Sequence, residues 1–204
     1  THNVSATDST AAGNTAYGFA AMDAITTGDN NTALGHAAGS AINSGANNTI
    51  VGTEAGDALT TGSHNVAIGH AALSAEDTGG RSVAIGRAAL GAQNNDANNY
   101  NVAVGYDAGK AVTTGINNTL IGALAGDAMQ DDSNNVAVGT QAMSSLQTDN
   151  CVALGFASMF AATTSTRTTA VGPSAMGAGV VTGNDNTAIG SKSQLNVTSG
   201  EFNT

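Results

Sequence analysis

The chain repeats itself about every 17 residues. The string Asn-(Thr/Val)-Ala-aliphatic-Gly recurs with closing glycines Gly18, Gly35, Gly52, Gly69, Gly86, Gly105, Gly122, Gly139, Gly155, Gly172 and Gly190. The intervals are 17, 17, 17, 17, 19, 17, 17, 16, 17 and 18 residues. A fixed short period marks an array whose units bury apolar surface only against their neighbours. Helical repeats need about 33 residues or more, so this period is too short for a helix pair. A β-branched tripeptide, a Gly and a second apolar spot fit short strands joined by turns. The period therefore predicts an all-β chain, a parallel β-solenoid or β-roll of eleven 17-residue coils.

Composition shows why only such stacking could work. Leu, Ile, Val and Phe total 35 of 204 residues, and there is no Trp. Ala, Gly, Thr and Asn together supply 114. That is too little bulk for a conventional core and, with a net charge of −10, leans toward disorder unless order in the sequence compensates. Stacked coils compensate, because each apolar position lies over its equivalent in the next coil.

With the closing Gly as position 5, position 4 is Tyr17, Leu34, Val51, Ile68, Ile85, Val104, Ile121, Val138, Leu154, Val171 and Ile189. Position 8 is always Ala or Ser, as suits a narrow coil, and position 12 is apolar at Ile25, Ile42, Leu59, Val112, Met129 and Leu146. Positions 2 to 4 are expected to form one strand and positions near 11 to 13 a second. Position 1 is Asn in eight of eleven copies, the pattern of an Asn ladder between coils. Cys151 takes that position in the ninth copy and reads as a tolerated substitution. The extra residues fall in 93–101 and 177–186, where loops belong. Residues 1–13 read as a lead-in, 14–194 as the solenoid, and 195–204 as an edge or cap.

Neighbouring strand residues face opposite ways. If position 4 faces the coil interior, position 3 faces out, yet it is never polar: Ala16, Ala33, Ile50, Ala67, Ala84, Ala103, Leu120, Ala137, Ala153, Ala170 and Ala188. A strand apolar on both faces is expected to be buried on both. This file is therefore the expected subunit interface, with parallel chains around an axis, most simply a homotrimer.

The strings Asn-Val-Ala-Ile-Gly at 65–69, Ser-Val-Ala-Ile-Gly at 82–86 and Asn-Val-Ala-Val-Gly at 101–105 resemble the head repeats of trimeric autotransporter adhesins. The longer unit, Asn-Asn-Thr-Ala-Leu-Gly continuing to Thr-Thr-Gly, resembles repeats in fibre proteins of tailed bacteriophages. The resemblance spans nearly the whole chain. It implies a trimer of parallel β-rolls on a virion appendage or cell surface, outside the cell, used for attachment to a host glycan or protein receptor. An ice-binding solenoid is a further reading, from the recurring Thr-Thr pairs.

Candidate sites are few. Position 6 is the most varied, and Phe19, His36, His70, Arg87, Tyr106 and Phe156 offer aromatic and cationic groups for a sugar or protein. His36 and His70 stand two coils apart and could clamp a ligand or metal, although ordinary exposed side chains are expected. Asp23, Asp57 and Asp127 share position 10, but the nonapeptides of a calcium β-roll are missing. No catalytic acid–base pair recurs, and no cofactor motif is present. Five scattered basic residues against fifteen acidic ones give no footprint for nucleic acid, and no apolar run suits membrane insertion.

Overall fold

A computed structural model describes residues 10–145, 147–161, 164–177 and 183–195. It is a single parallel sheet wound as a β-solenoid. Eleven three-residue strands follow in order: β1 (Thr15–Tyr17), β2 (Thr32–Leu34), β3 (Thr49–Val51), β4 (Val66–Ile68), β5 (Val83–Ile85), β6 (Val102–Val104), β7 (Thr119–Ile121), β8 (Val136–Val138), β9 (Val152–Leu154), β10 (Thr169–Val171) and β11 (Thr187–Ile189). Each pairs only with its sequence neighbours, so the sheet order is the chain order. Ten strand spacings of ~4.8 Å give a stack roughly 48 Å long.

Register is kept from end to end. Val66 lies over Val83, and Ala67 over Ala84. The 19-residue coil does not shift it, because Val83 still pairs with Val102. Equivalent side chains thus form continuous files along the axis.

The files face the opposite way from the sequence expectation. Position 3 points into the coil: Ala33, Ile50, Ala67, Ala84, Ala103, Leu120, Ala137, Ala153, Ala170 and Ala188 are at most 1% exposed in the single chain, and Ala16 packs against the same core. These side chains are enclosed by their own coils and cannot be a subunit interface. Position 4 points outward, with Tyr17 at 69% and Ile189 at 71% exposure. The reason is width. The strand closes against positions 8, 9 and 12 of the same coil, and little more than a methyl fits between them. The two bulky exceptions prove this. Ile50 and Leu120 lie opposite Gly56 and Gly126 at position 9, where an added Cβ would stand 3.1 Å from Ile50 Cδ1 and 2.8 Å from Leu120 Cδ2.

No second strand occurs among the described residues of any coil. The expected positions 11 to 13 are turn and irregular backbone, as at Ala58, Leu59 and Thr60, and positions 7 and 9 before them hold left-handed backbone, as at Ala71 (φ 54°), Leu73 (φ 53°), Ala88 (φ 50°) and Leu90 (φ 49°). Each such residue costs about 1–2 kcal/mol, which stacking must offset. This wall is curled rather than extended, yet it still bonds to the next coil, as in Met22 N–H to Ala38 C=O (3.1 Å) and Leu73 N–H to Ala89 C=O (3.0 Å). At position 5 the glycine is obligatory. Gly69 has φ 132°, and a Cβ there would lie 2.5 Å from the Gly86 carbonyl oxygen.

Position 1 is a ladder, built from side chain to backbone. Asn48 Nδ2 donates to its own coil's Gly62 carbonyl (2.9 Å), and Asn48 Oδ1 accepts from the Asn65 N–H of the next coil (2.9 Å). The same pair of bonds recurs at Asn31 and Asn118. Each Asn closes one coil and holds the next.

Candidate binding surfaces and a buried polar centre

The outer sheet face carries positions 2 and 4. In the middle of the stack it is Val66, Ile68, Val83, Ile85, Val102 and Val104, all partly exposed. Toward the first coil it becomes Thr15, Tyr17, Thr32 and Leu34, all exposed. No charged residue interrupts it in any of the eleven strands. Position 2 is Thr in six strands (Thr15, Thr32, Thr49, Thr119, Thr169 and Thr187), so the face is uncharged throughout and most apolar across β4–β6, where it is a candidate contact surface.

Polar files border this face. Before the strand lie exposed Asn30, Asn47, His64, Arg81, Tyr100 and Asn117, each at positive φ. After the strand lies position 6, displayed by the Gly corner. Every sequence-expected binding residue is exposed there: Phe19 (80%), Tyr106 (53%), Phe156 (56%), His36, His70 and Arg87. The structure does not unite them in one site. Phe19 stacks on His36 with centroids 5.6 Å apart. His70 Nε2 faces Glu54 at 3.9 Å, so the two histidines have separate neighbours. Arg87 lies over the Tyr106 ring (5.2 Å) and donates to the Tyr106 hydroxyl (3.1 Å) and to Asp107 (2.8 Å). Lys110 also binds Asp107, at 3.2 Å. Across the face, Arg81 covers Tyr100 at 5.9 Å.

Among the described residues no group of three metal-ligating side chains assembles. Burial pushes the Asp57 and Asp127 carboxyls above their usual range, and Oδ1 of each has no hydrogen-bond partner. Cys151 stands in the ladder as its position implied. Its Sγ donates to the Ser165 carbonyl at 3.0 Å, replacing the Asn Nδ2, and burial pushes its thiol up to about 11.

Sequence reasoning missed one centre. Glu76 and Gln93 occupy position 12, which is Leu59 one coil earlier and Val112 one coil later, and both are fully buried. Glu76 Oε1 accepts from the Gly79 N–H (2.8 Å), and Oε2 from Gln93 Nε2 (3.0 Å) and Asn99 Nδ2 (2.8 Å). Gln93 also donates to Ser82 Oγ (2.9 Å) and accepts from Asn101 Nδ2 (2.8 Å). The signal was available: two polar residues at an otherwise apolar position, beside a Ser where the ladder expects Asn, in the coil with two extra residues. The exposed part of the 93–101 loop is thereby tied down by buried residues at both ends.

Compared with protein-family models, curated proteins and solved structures, the chain gives no match. No helix among the described residues is long and apolar enough to cross a membrane.

Proposed function

We propose that this chain is a structural and adhesive shaft segment of an extracellular trimeric fibre, a phage tail fibre or related appendage that attaches to a host surface. The observation that carries this reading is the uncharged outer face of positions 2 and 4. Chains set around an axis, each sheet turned inward, would remove that face from water and leave position 6 at the rim. The rim supplies polar and aromatic groups flanking an apolar centre, which is the anatomy of a protein interface. The reading keeps the homotrimer and moves its interface from position 3 to positions 2 and 4. It assigns the chain binding rather than catalysis, with a glycan or protein receptor meeting position 6 or the 93–101 loop. The same face suits the head of a bacterial surface adhesin.

Light scattering tests it: the particle should have about three times the 19.8 kDa chain mass. Replacing Val83 and Ile85 with Lys should give folded monomers. A stable wild-type monomer at micromolar concentration would remove the fibre reading.

Ice binding has one observation in its favour, the in-register file Thr15, Thr32 and Thr49 on the outer face. The file changes to Val66, Val83 and Val102 beyond it, which breaks the array. A thermal-hysteresis assay decides between the two.

A further inference from the structure

The Glu76 centre is a carboxylate without a countercharge. Among the described residues no ion pair reaches it. The other acids of segment 76–101 are Asp77 and Asp96. They serve the turn outside, where Asp77 Oδ1 accepts from the Thr78 N–H and Asp96 Oδ1 accepts from the Thr78 hydroxyl. The same coil position is Leu59 below and Gln93 above, so no cation enters from either stacked neighbour. Every contact to the two Glu76 oxygens comes from an N–H donor. A proton arriving on this carboxylate would create an O–H facing donors. One unused acceptor stands at the centre: Asn99 Oδ1 is buried and has no hydrogen-bond partner.

We propose that Glu76 and Asn99 form a proton-operated latch beneath the inserted loop. With Glu76 ionised, Asn99 Nδ2 donates to Oε2 and its own Oδ1 stays unpaired. With Glu76 protonated, the Asn99 amide turns over and Oδ1 accepts the new O–H. One proton is taken up, and one hydrogen bond reverses direction. Asn99 also carries the loop backbone, since its N–H donates to the Gly80 carbonyl (2.9 Å) and Gly80 N–H donates to the Ala97 carbonyl (3.2 Å). The next residue is Tyr100, the partner of Arg81 at the border of the outer face. Proton uptake is thereby linked to the border of that face. The inference does not depend on the fibre reading.

Burial pushes the Glu76 carboxyl above its ordinary value of 4.5. The sign follows by linkage. A folded-state pKa above the unfolded one adds stability that is complete below about pH 4.5 and is lost as pH rises through the raised value. The loop should therefore be held best in acid.

Hydrogen–deuterium exchange of segment 76–101, normalised at each pH to segment 37–50, which holds no titratable side chain, reads this out. Protection in the wild type should fall by about threefold or more between pH 4.5 and 8, as expected for a local opening of low free energy. Glu76→Gln imitates the protonated carboxyl and should keep the high protection throughout. A flat wild-type profile overturns the latch, as does a Glu76→Gln profile that falls like the wild type. The Asn99 side-chain amide signals of the wild-type chain supply a second readout, independent of whether the variant folds. They should shift in one transition over the same range, and signals that do not move overturn the proposal.

Discussion

Coils 3 and 5 solve one problem in two ways. Coil 3 uses Asn48 to close itself and Leu59 to fill its interior, with Gly56 making room for Ile50. Coil 5 has Ser82, too short to span the coil, and lets Gln93 reach across from position 12 while Leu90 fills position 9. Volume and hydrogen bonds are conserved while residue types are not. A coil must fill a fixed narrow space and satisfy a fixed set of backbone groups. Any side chains that do both will serve, at the cost, in coil 5, of burying a carboxylate next door.

The largest effect should come from testing the shared interior. Ala84→Glu places an unpaired charge inside coil 5 and should cost about 4 kcal/mol or more. Circular dichroism should show loss of the fold, not merely loss of assembly. Retained β structure with broken association would restore position 3 as an interface.

Next comes the corner glycine, present in both coils and also in coil 4 between them, where Gly69 lies against Gly86 of coil 5. Gly69→Ala sets a Cβ against the Gly86 carbonyl at a φ hostile to side chains, and should cost about 3 kcal/mol. Thermal melts would register it, and a neutral result would mean the stack can widen at that corner.

The two closures should then separate. Asn48→Ala strands the Gly62 carbonyl and the Asn65 N–H, a loss of about 2–4 kcal/mol. Ser82→Ala removes only one acceptor from Gln93 and should cost about 1 kcal/mol. Equal denaturant midpoints for the two variants would dissolve the distinction. Smallest is Cys151→Asn, which restores the ladder pair and should stabilise by up to about 1 kcal/mol. The buried thiol of the wild type should resist a disulfide reagent until the chain is unfolded.

The period, the parallel stacking, the ladder at position 1 and the place of Cys151 were legible in the sequence. Each leaves its mark in every copy or breaks a pattern in one. The facing of the strand was not. The available sign was position 2, which shares its face with position 4 and is Thr in six copies, but Val in the other five and the aliphatic position 4 mask it, and the small size of Ala at position 3 reads equally as a tight interior or a tight interface. The curled wall was hidden because Ala20, Ala71 and Leu73 are not residues that advertise positive φ. The exposed ridge at position 6 was visible as variation against a constant frame. The Glu76 centre needs three separated residues, Glu76, Gln93 and Asn99, to be seen together.

The hydrogen bonds that join coil to coil run along the length of the stack, on the curled wall as well as the sheet. That direction decides how the chain bears load. A pull on the two ends opens these bonds in tension, one coil after another, rather than shearing the whole array at once. Each coil that gives way releases 17 residues, about 56–61 Å of extended chain at 3.3–3.6 Å per residue, from a layer ~4.8 Å thick. A single chain of this design is a yielding spring with a sawtooth force profile, and stiffness under pull must come from neighbours laid alongside.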